Sequence, residues 1–117
     1  MKLPEKNQTW VINDDIQRED LPNTPGIQRQ MLAFCDAAMC VQNYFEAGAV
    51  GPLHSHPHTQ ITYIVDGAFE FTVGDETRIV TMGDTILKQD DIIHGCVCLE
   101  AGSMIDFFTP MREDFVN

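Results

Sequence analysis

The chain has 117 residues, with 18 acidic against 7 basic side chains and a formal net charge of −11. That length makes one domain, able to bury one apolar core without disulfide staples. Such a negative field repels phosphate backbones and anionic lipid, so nucleic acid and membrane surfaces are not expected partners; an anionic small molecule would need local positive charge from a metal or a specific arginine.

The N-terminal Met1–Lys6 lacks the apolar stretch of a secretory signal, and no apolar run reaches the roughly 18 residues of a membrane span, so the expected address is the cytoplasm. Asn13 to Asn23 is acidic and polar and leads through Pro22 and Pro25 to Gly26, which reads as a surface loop. Strands are expected at Ile27 to Phe34 and Ala38 to Glu46, followed by a break at Gly48, Gly51 and Pro52. Thr59 to Val65 is β-branched and aromatic and runs into Asp66-Gly67, a two-residue hairpin signal. Ala68 to Val73 alternates, with Phe69, Phe71 and Val73 on one face. Further strands are expected at Glu76 to Thr81, Thr85 to Leu87, Ile92 to Leu99 and Ser103 to Thr109, with turns at Gly74-Asp75 and Gly83-Asp84. Short strands at this spacing predict an all-β sandwich or barrel, with at most a short helix near the C-terminus. Tyr63, Phe69 and Phe71 are expected in the core. Trp10 precedes the barrel and is expected to cover one end of it or to pack on a partner. Cys35, Cys40, Cys96 and Cys98 include no C-x-x-C pair and read as free thiols.

Histidines occur at 54, 56, 58 and 94 only. On an extended strand positions 54, 56, 58 and 60 point to one side, so His54 and His56 can offer two imidazoles to one ion, with Gln60 adding an amide oxygen. Pro57 bends the chain and turns His58 elsewhere. His94, on a later strand, would close the site from across the barrel. A lone His-x-His pair is a weak signal, since surface histidines beside proline are common. As ligands, three neutral imidazoles and a neutral amide leave a divalent ion its full charge and open positions for a ligand. Nickel, zinc, manganese, iron and copper all suit that set.

The run Gly48-x5-His54-x-His56-x3-Gln60-x6-Gly67 resembles the first cupin motif, with glutamine where glutamate is usual. The second motif keeps Gly83 and His94 at the right separation, while Gln89, Asp91 and Cys98 replace its proline, glycine and asparagine. This resemblance spans roughly residues 27 to 110. It implies a single-domain antiparallel β-barrel, or jelly roll, over residues 27–117 with its C-terminal tail, preceded by an arm and loop over 1–26. It also implies one divalent metal on His54, His56, Gln60 and His94, and a homodimer in which Thr9 to Ile12 could be exchanged.

A narrower likeness joins Pro52-Leu-His-Ser-His-Pro-His-Thr-Gln-Ile61 to the ending Asp106-Phe-Phe-Thr-Pro-Met-Arg112-Glu-Asp-Phe115. Together they resemble the KdgF pectin-degradation cupins. That likeness implies ring opening of 4,5-unsaturated uronate monosaccharides from pectin or alginate to a linear keto-aldehyde uronate. On the last strand Met104, Asp106 and Phe108 share one face, an unusual place for an outward aspartate. The resemblance turns that face toward the metal and makes Asp106 the acid–base group, Phe108 a pocket wall and Arg112 a binder of the substrate's carboxylate or hydroxyl. His58 is a further candidate for the substrate pocket. From the residues alone, an Asp106–Arg112 salt bridge at a barrel rim is the favoured reading. Arg29, Gln42 and Asn43 are possible pocket groups. Two rivals stand beside ring opening: a metal-dependent cupin dioxygenase, and a sugar-sensing module without chemistry.

Overall fold

Alternating apolar side chains bounded by glycine turns form eight strands in the computed structural model, which describes residues 3–116. The strands are β1 (Glu19–Asp20), β2 (Ile27–Phe34), β3 (Met39–Phe45), β4 (Val50–His54), β5 (Thr59–Val73), β6 (Glu76–Thr81), β7 (Thr85–Lys88) and β8 (His94–Thr109). Two single 3-10 turns, Asn13–Asp15 and Glu113–Phe115, are the helical elements among the described residues. Pairing is antiparallel along β1-β2-β3-β8-β5-β6, with β4 added on β8 and β7 on β5. This is the expected all-β barrel.

The expected hairpin at Asp66-Gly67 does not form. The chain runs on as one bent strand of 15 residues, and β8 likewise merges the two strands expected at Ile92–Leu99 and Ser103–Thr109. The two pair along their whole lengths, from Thr59 opposite Thr109 to Val73 opposite His94, with register shifts around Asp66–Phe69. Gly67 takes φ +82, and a Cβ on Gly102 would run into the Asp66 backbone. Ser103 N–H donates to Asp66 Oδ1 at 2.8 Å. The Asp-Gly pair therefore makes a bulged corner where two strands cross closely. The real hairpin is at Gly74-Asp75, joining β5 to β6.

Inward residues form two apolar groups. Ile27, Phe45, Ile64, Phe69, Phe71, Cys98 and Met104 make one, in which Phe45 and Phe69 meet edge to face at 5.1 Å. Met31, Phe34, Met39, Val41 and Phe108 make the other. Each large side chain so buried contributes roughly 1.5–3 kcal/mol. Tyr63, expected inside, is 42% exposed on the outer face of β5, because it has the opposite parity to Ile64. The N-terminal arm lies on the barrel: Ile16 is buried, Asn7 N–H donates to the Phe34 carbonyl, and Gln30 Nε2 donates to the carbonyls of Asn13 and Ile16. All four cysteines are free. No helix among the described residues is long and apolar enough to cross a membrane.

Candidate metal centre and adjoining cavity

β4 ends at His54, which stands directly opposite His94 on β8. His94 thus joins the site from the neighbouring strand and not from across the barrel. His56 lies past the end of β4, in the irregular stretch just before the bend at Pro57 and His58, so its approach to His54 does not come from strand alternation. Ring centroids are 4.4 Å apart for His54 and His94, 4.9 Å for His56 and His94, and 5.7 Å for His54 and His56. One ligand atom from each of the three lies within 4.8 Å of the others.

Hydrogen bonds set the tautomers. His54 Nδ1 lies 2.8 Å from the Pro52 carbonyl and His94 Nδ1 3.0 Å from the Ile92 carbonyl. A carbonyl only accepts, so both Nδ1 atoms carry the proton and both Nε2 lone pairs are free. His94 Nε2 is buried with no partner, an orphan that a cation would satisfy. Burial lowers the pKa of His94 from its ordinary value to about 4 and lowers that of His56 as well. Both rings are therefore neutral at pH 7, the state a metal requires.

Gln60 joins the triad. Its Oε1 lies 2.9 Å from His56 Nε2, and two donors about 2.1 Å from one octahedral ion would themselves be about 3 Å apart. The amide's orientation follows from its other end, where Nε2 donates to Asp106 Oδ1 at 2.8 Å; an ionised carboxylate can only accept. Three imidazoles and this amide oxygen therefore fit a divalent ion.

Asp106 is 4% exposed, and its surroundings follow from register. Thr62 is its cross-strand partner on β5 and Val41 its partner on β3. Gln60 and Asn43 sit one pleat away on the same inner face, diagonal neighbours within side-chain reach. Thr62 Oγ1 and Gln60 Nε2 donate to Oδ1, and Asn43 Nδ2 donates to Oδ2 at 2.6 Å. A carboxylate has about four acceptor sites, so one on Oδ2 stays open.

The Asp106–Arg112 salt bridge does not occur. Arg112 gives Nε and Nη2 to Asp114 at 3.0 and 2.9 Å, and its guanidinium lies 5.3 Å from the centre of the Phe108 ring. Phe108 is buried edge-on to His56, at 5.7 Å, and forms the wall between the imidazoles and Arg112. His54, Gln60, His94, Asp106, Phe108 and Arg112 all line one cavity of about 230 Å³. His58 is not brought into it. Pro57 turns that ring toward a separate hollow beside Asp36, Glu113 and Asp114.

Sequence reasoning missed Lys88. This lysine is 1% exposed, lines the same cavity, donates to Thr62 Oγ1, and lies 4.8 Å from the Phe71 ring centre. It stands opposite Gln60 and shares the parity of Ile86, which packs on the core. Extending the strand by one residue would have exposed the signal. Burial lowers its pKa from the ordinary lysine value, while Asp106 and then Cys96 push it back up. Thr62, the hinge of the Lys88–Thr62–Asp106 chain, is an ordinary strand residue in sequence and carries no signal of its own.

Residues 44–108 match the cupin domain family. Over 109 residues the chain is 38% identical to the pectin degradation protein KdgF of Dickeya dadantii (strain 3937), covering 92% of this chain and 97% of that protein. It is a cupin of the KdgF family. The structure of KdgF from Halomonas sp. superimposes on this cupin with a TM-score of 0.87 at 39% identity, over 92% of this chain and 99% of that one. An RmlC-like cupin from Shewanella frigidimarina NCIMB 400 gives 0.89 at 35% identity, over 94% and 97%. The glutamine that departs from the general cupin motif is the residue this cupin bonds to both His56 and Asp106. Asp91, where that motif has glycine, takes φ +58 and follows Asp90 at φ +59; aspartate tolerates this left-handed backbone better than most side chains.

Proposed function

We propose that this cupin opens the ring of 4,5-unsaturated uronate monosaccharides, of the kind released from pectin or alginate, to give a linear keto-aldehyde uronate. The observation that carries this reading is Asp106, a buried carboxylate held by three donors with one acceptor site free, in the same cavity as His54 and His94. Kinship to a pectin degradation protein over nearly the whole chain supports it.

The substrate is a cyclic enol ether with a hemiacetal hydroxyl at C1. Asp106 Oδ2 takes the C1 hydroxyl proton as the C1 carbonyl forms and the bond from C1 to the ring oxygen breaks. The ring oxygen leaves as an enolate, and Asp106 returns the proton to C4, giving the ketone at C5. The reaction is an isomerisation and needs no water or redox partner. Proton handling of this kind is worth about 10²–10⁴-fold. His54, His56, His94 and Gln60 would hold one divalent ion, whose charge when bound stabilises the developing enolate. Nickel, zinc, manganese, iron and copper suit the donors. Phe108 is the ring-facing wall, and Arg112 supplies positive charge at the mouth.

The working unit in this reading is a cytoplasmic homodimer; the four free thiols suit a reducing compartment. Ile61, Tyr63, Leu87 and Phe107 adjoin one another on the outer face of β5, β7 and β8 and are all exposed, an apolar surface of the kind subunits cover. Trp10, 78% exposed, and Ile12 make the arm over residues 1–26 a second contact for the partner.

The test follows the ultraviolet absorbance of the enol ether in an unsaturated uronate. Metal-loaded protein accelerates its loss without consuming oxygen, and His54→Ala removes the acceleration. A rate equal to that of buffer alone would end the ring-opening reading, and oxygen uptake coupled to turnover would replace it with a dioxygenase.

A further inference from the structure

Of the seven basic residues in this acidic chain, Arg29, Lys88 and Arg112 line the cavity that holds Asp106. Arg112 spends its fork on Asp114. Lys88 donates to the buried Thr62 hydroxyl. Arg29 makes no side-chain hydrogen bond and no ion pair among the described residues, although 18 carboxylates were available to the fold. Its Nε is buried and has no acceptor.

Arg29 is nevertheless held in place. On β2 it stands opposite Asn43, the donor to Asp106 Oδ2, and its guanidinium lies 4.0 Å from the centre of the Phe115 ring. Arg112 lies 4.5 Å from the centre of the same ring. A guanidinium stacked on an aromatic keeps its N–H groups in its own plane, free to meet a planar acceptor two at a time. Leaving the Nε of this half-buried guanidinium without an acceptor is costly, and an anion in the cavity would offset that cost. Burial lowers Arg29's pKa from the ordinary arginine value, with Glu19 and Asp114 raising it and Arg112 lowering it. None of these carboxylates reaches ion-pair distance of it among the described residues.

On the ring-opening reading, we propose that Arg29 is the anchor for the substrate's carboxylate, binding it through a bidentate pair of hydrogen bonds. Arg112, tied to Asp114, shapes the cavity mouth beside it. Arg29 then sets which face of the sugar meets Asp106: a ring held by its carboxylate at β2 and Phe115 lies against Asn43 and Asp106 on one side and the imidazoles on the other. Neutral sugars of the same shape lack the group that this guanidinium binds, so the site selects uronates over aldoses.

The experiment compares Arg29→Met and Arg29→Lys with the wild type, all metal-loaded. Arg29→Met keeps the apolar stem over Phe115 and removes the fork. It should raise KM for the unsaturated uronate about 10–100-fold, the loss expected for charge-assisted hydrogen bonds, with kcat within about threefold. Arg29→Lys should recover part of the affinity. A second measurement titrates saturated galacturonate, and its neutral amide, by calorimetry. Wild type should bind the acid more tightly than Arg29→Met does, and the amide should bind both proteins alike. Unchanged KM and unchanged galacturonate affinity in Arg29→Met would overturn the proposal, as would a loss confined to melting temperature and kcat, the mark of a purely structural stack on Phe115. If the wild type fails to open unsaturated uronates, the ring-opening reading falls by itself, and the galacturonate titration still decides the role of Arg29.

Discussion

Replacing Asp106 by asparagine removes one charge and one acceptor while keeping the side chain's shape. The carbonyl oxygen of the new amide can still accept from Gln60 Nε2 and Thr62 Oγ1, so Gln60 stays turned with Oε1 toward His56. The amide nitrogen then faces Asn43 Nδ2 across 2.6 Å, donor against donor, until the Asn43 amide turns over. The loss is one charge-assisted hydrogen bond together with the negative charge nearest Lys88, about 2 kcal/mol of stability in all. The chemical loss is much larger, because an amide cannot take the C1 proton: kcat should fall about 10²–10⁴-fold. The assay reads loss of enol-ether absorbance at saturating substrate, beside metal content by elemental analysis and a thermal melt. Metal occupancy should match the wild type, which separates the proton step from ion binding. A folded, fully metallated Asp106→Asn that keeps more than about a tenth of wild-type kcat would refute the assignment of Asp106.

Three further outcomes follow from the same geometry. Chelation should abolish turnover, and adding back a divalent ion should restore it together with the melting temperature; an ion present at 100 times its Kd adds about 2.7 kcal/mol to unfolding. The metal-free protein should lose stability as pH falls from about 6.5 toward 4. The unfolded chain takes up a proton at His94 in that window and the folded chain, with its His94 pKa held down at about 4, does not. The loss should be about 2 kcal/mol after allowing for water in the cavity mouth, and it should be reduced in urea melts of His94→Ala to the part that His56, also lowered by burial, retains. Lys88→Met should leave the melting temperature unchanged or raised, since the buried ammonium has no carboxylate partner at ion-pair distance among the described residues; yet it should lower kcat by freeing the Thr62 hydroxyl. A fall of more than about 3 kcal/mol in its denaturant stability would instead make Lys88 a structural support of the barrel.

The strand alternation around Asp106 was readable before any fold was known. Met104, Asp106 and Phe108 share a face by parity alone, and all three are buried. The strands from Ile27 to Phe34 and from Glu76 to Thr81 begin and end where the local pattern places them, because each is bounded by its own turn chemistry. Asp66-Gly67 misled for a physical reason. A positive-φ glycine serves a hairpin and a bulge equally well, and the choice lies with the remote Gly102 and Ser103, which leave room for one long strand to cross another.

Local chemistry by itself determined the donor types: imidazoles at a spacing that can converge, an amide within reach, and an aspartate at an inward parity. Only the tertiary structure decided who meets whom. It set His94 directly beside His54, placed His56 past the end of β4, sent His58 to a separate hollow, paired Arg112 with Asp114 in place of Asp106, and brought Lys88 into the cavity unannounced. The reason is register. Side-chain parity is a property of one strand, whereas cross-strand neighbours depend on how β2, β3, β5, β7 and β8 are aligned, and that alignment is the joint outcome of bulges and turns many residues apart.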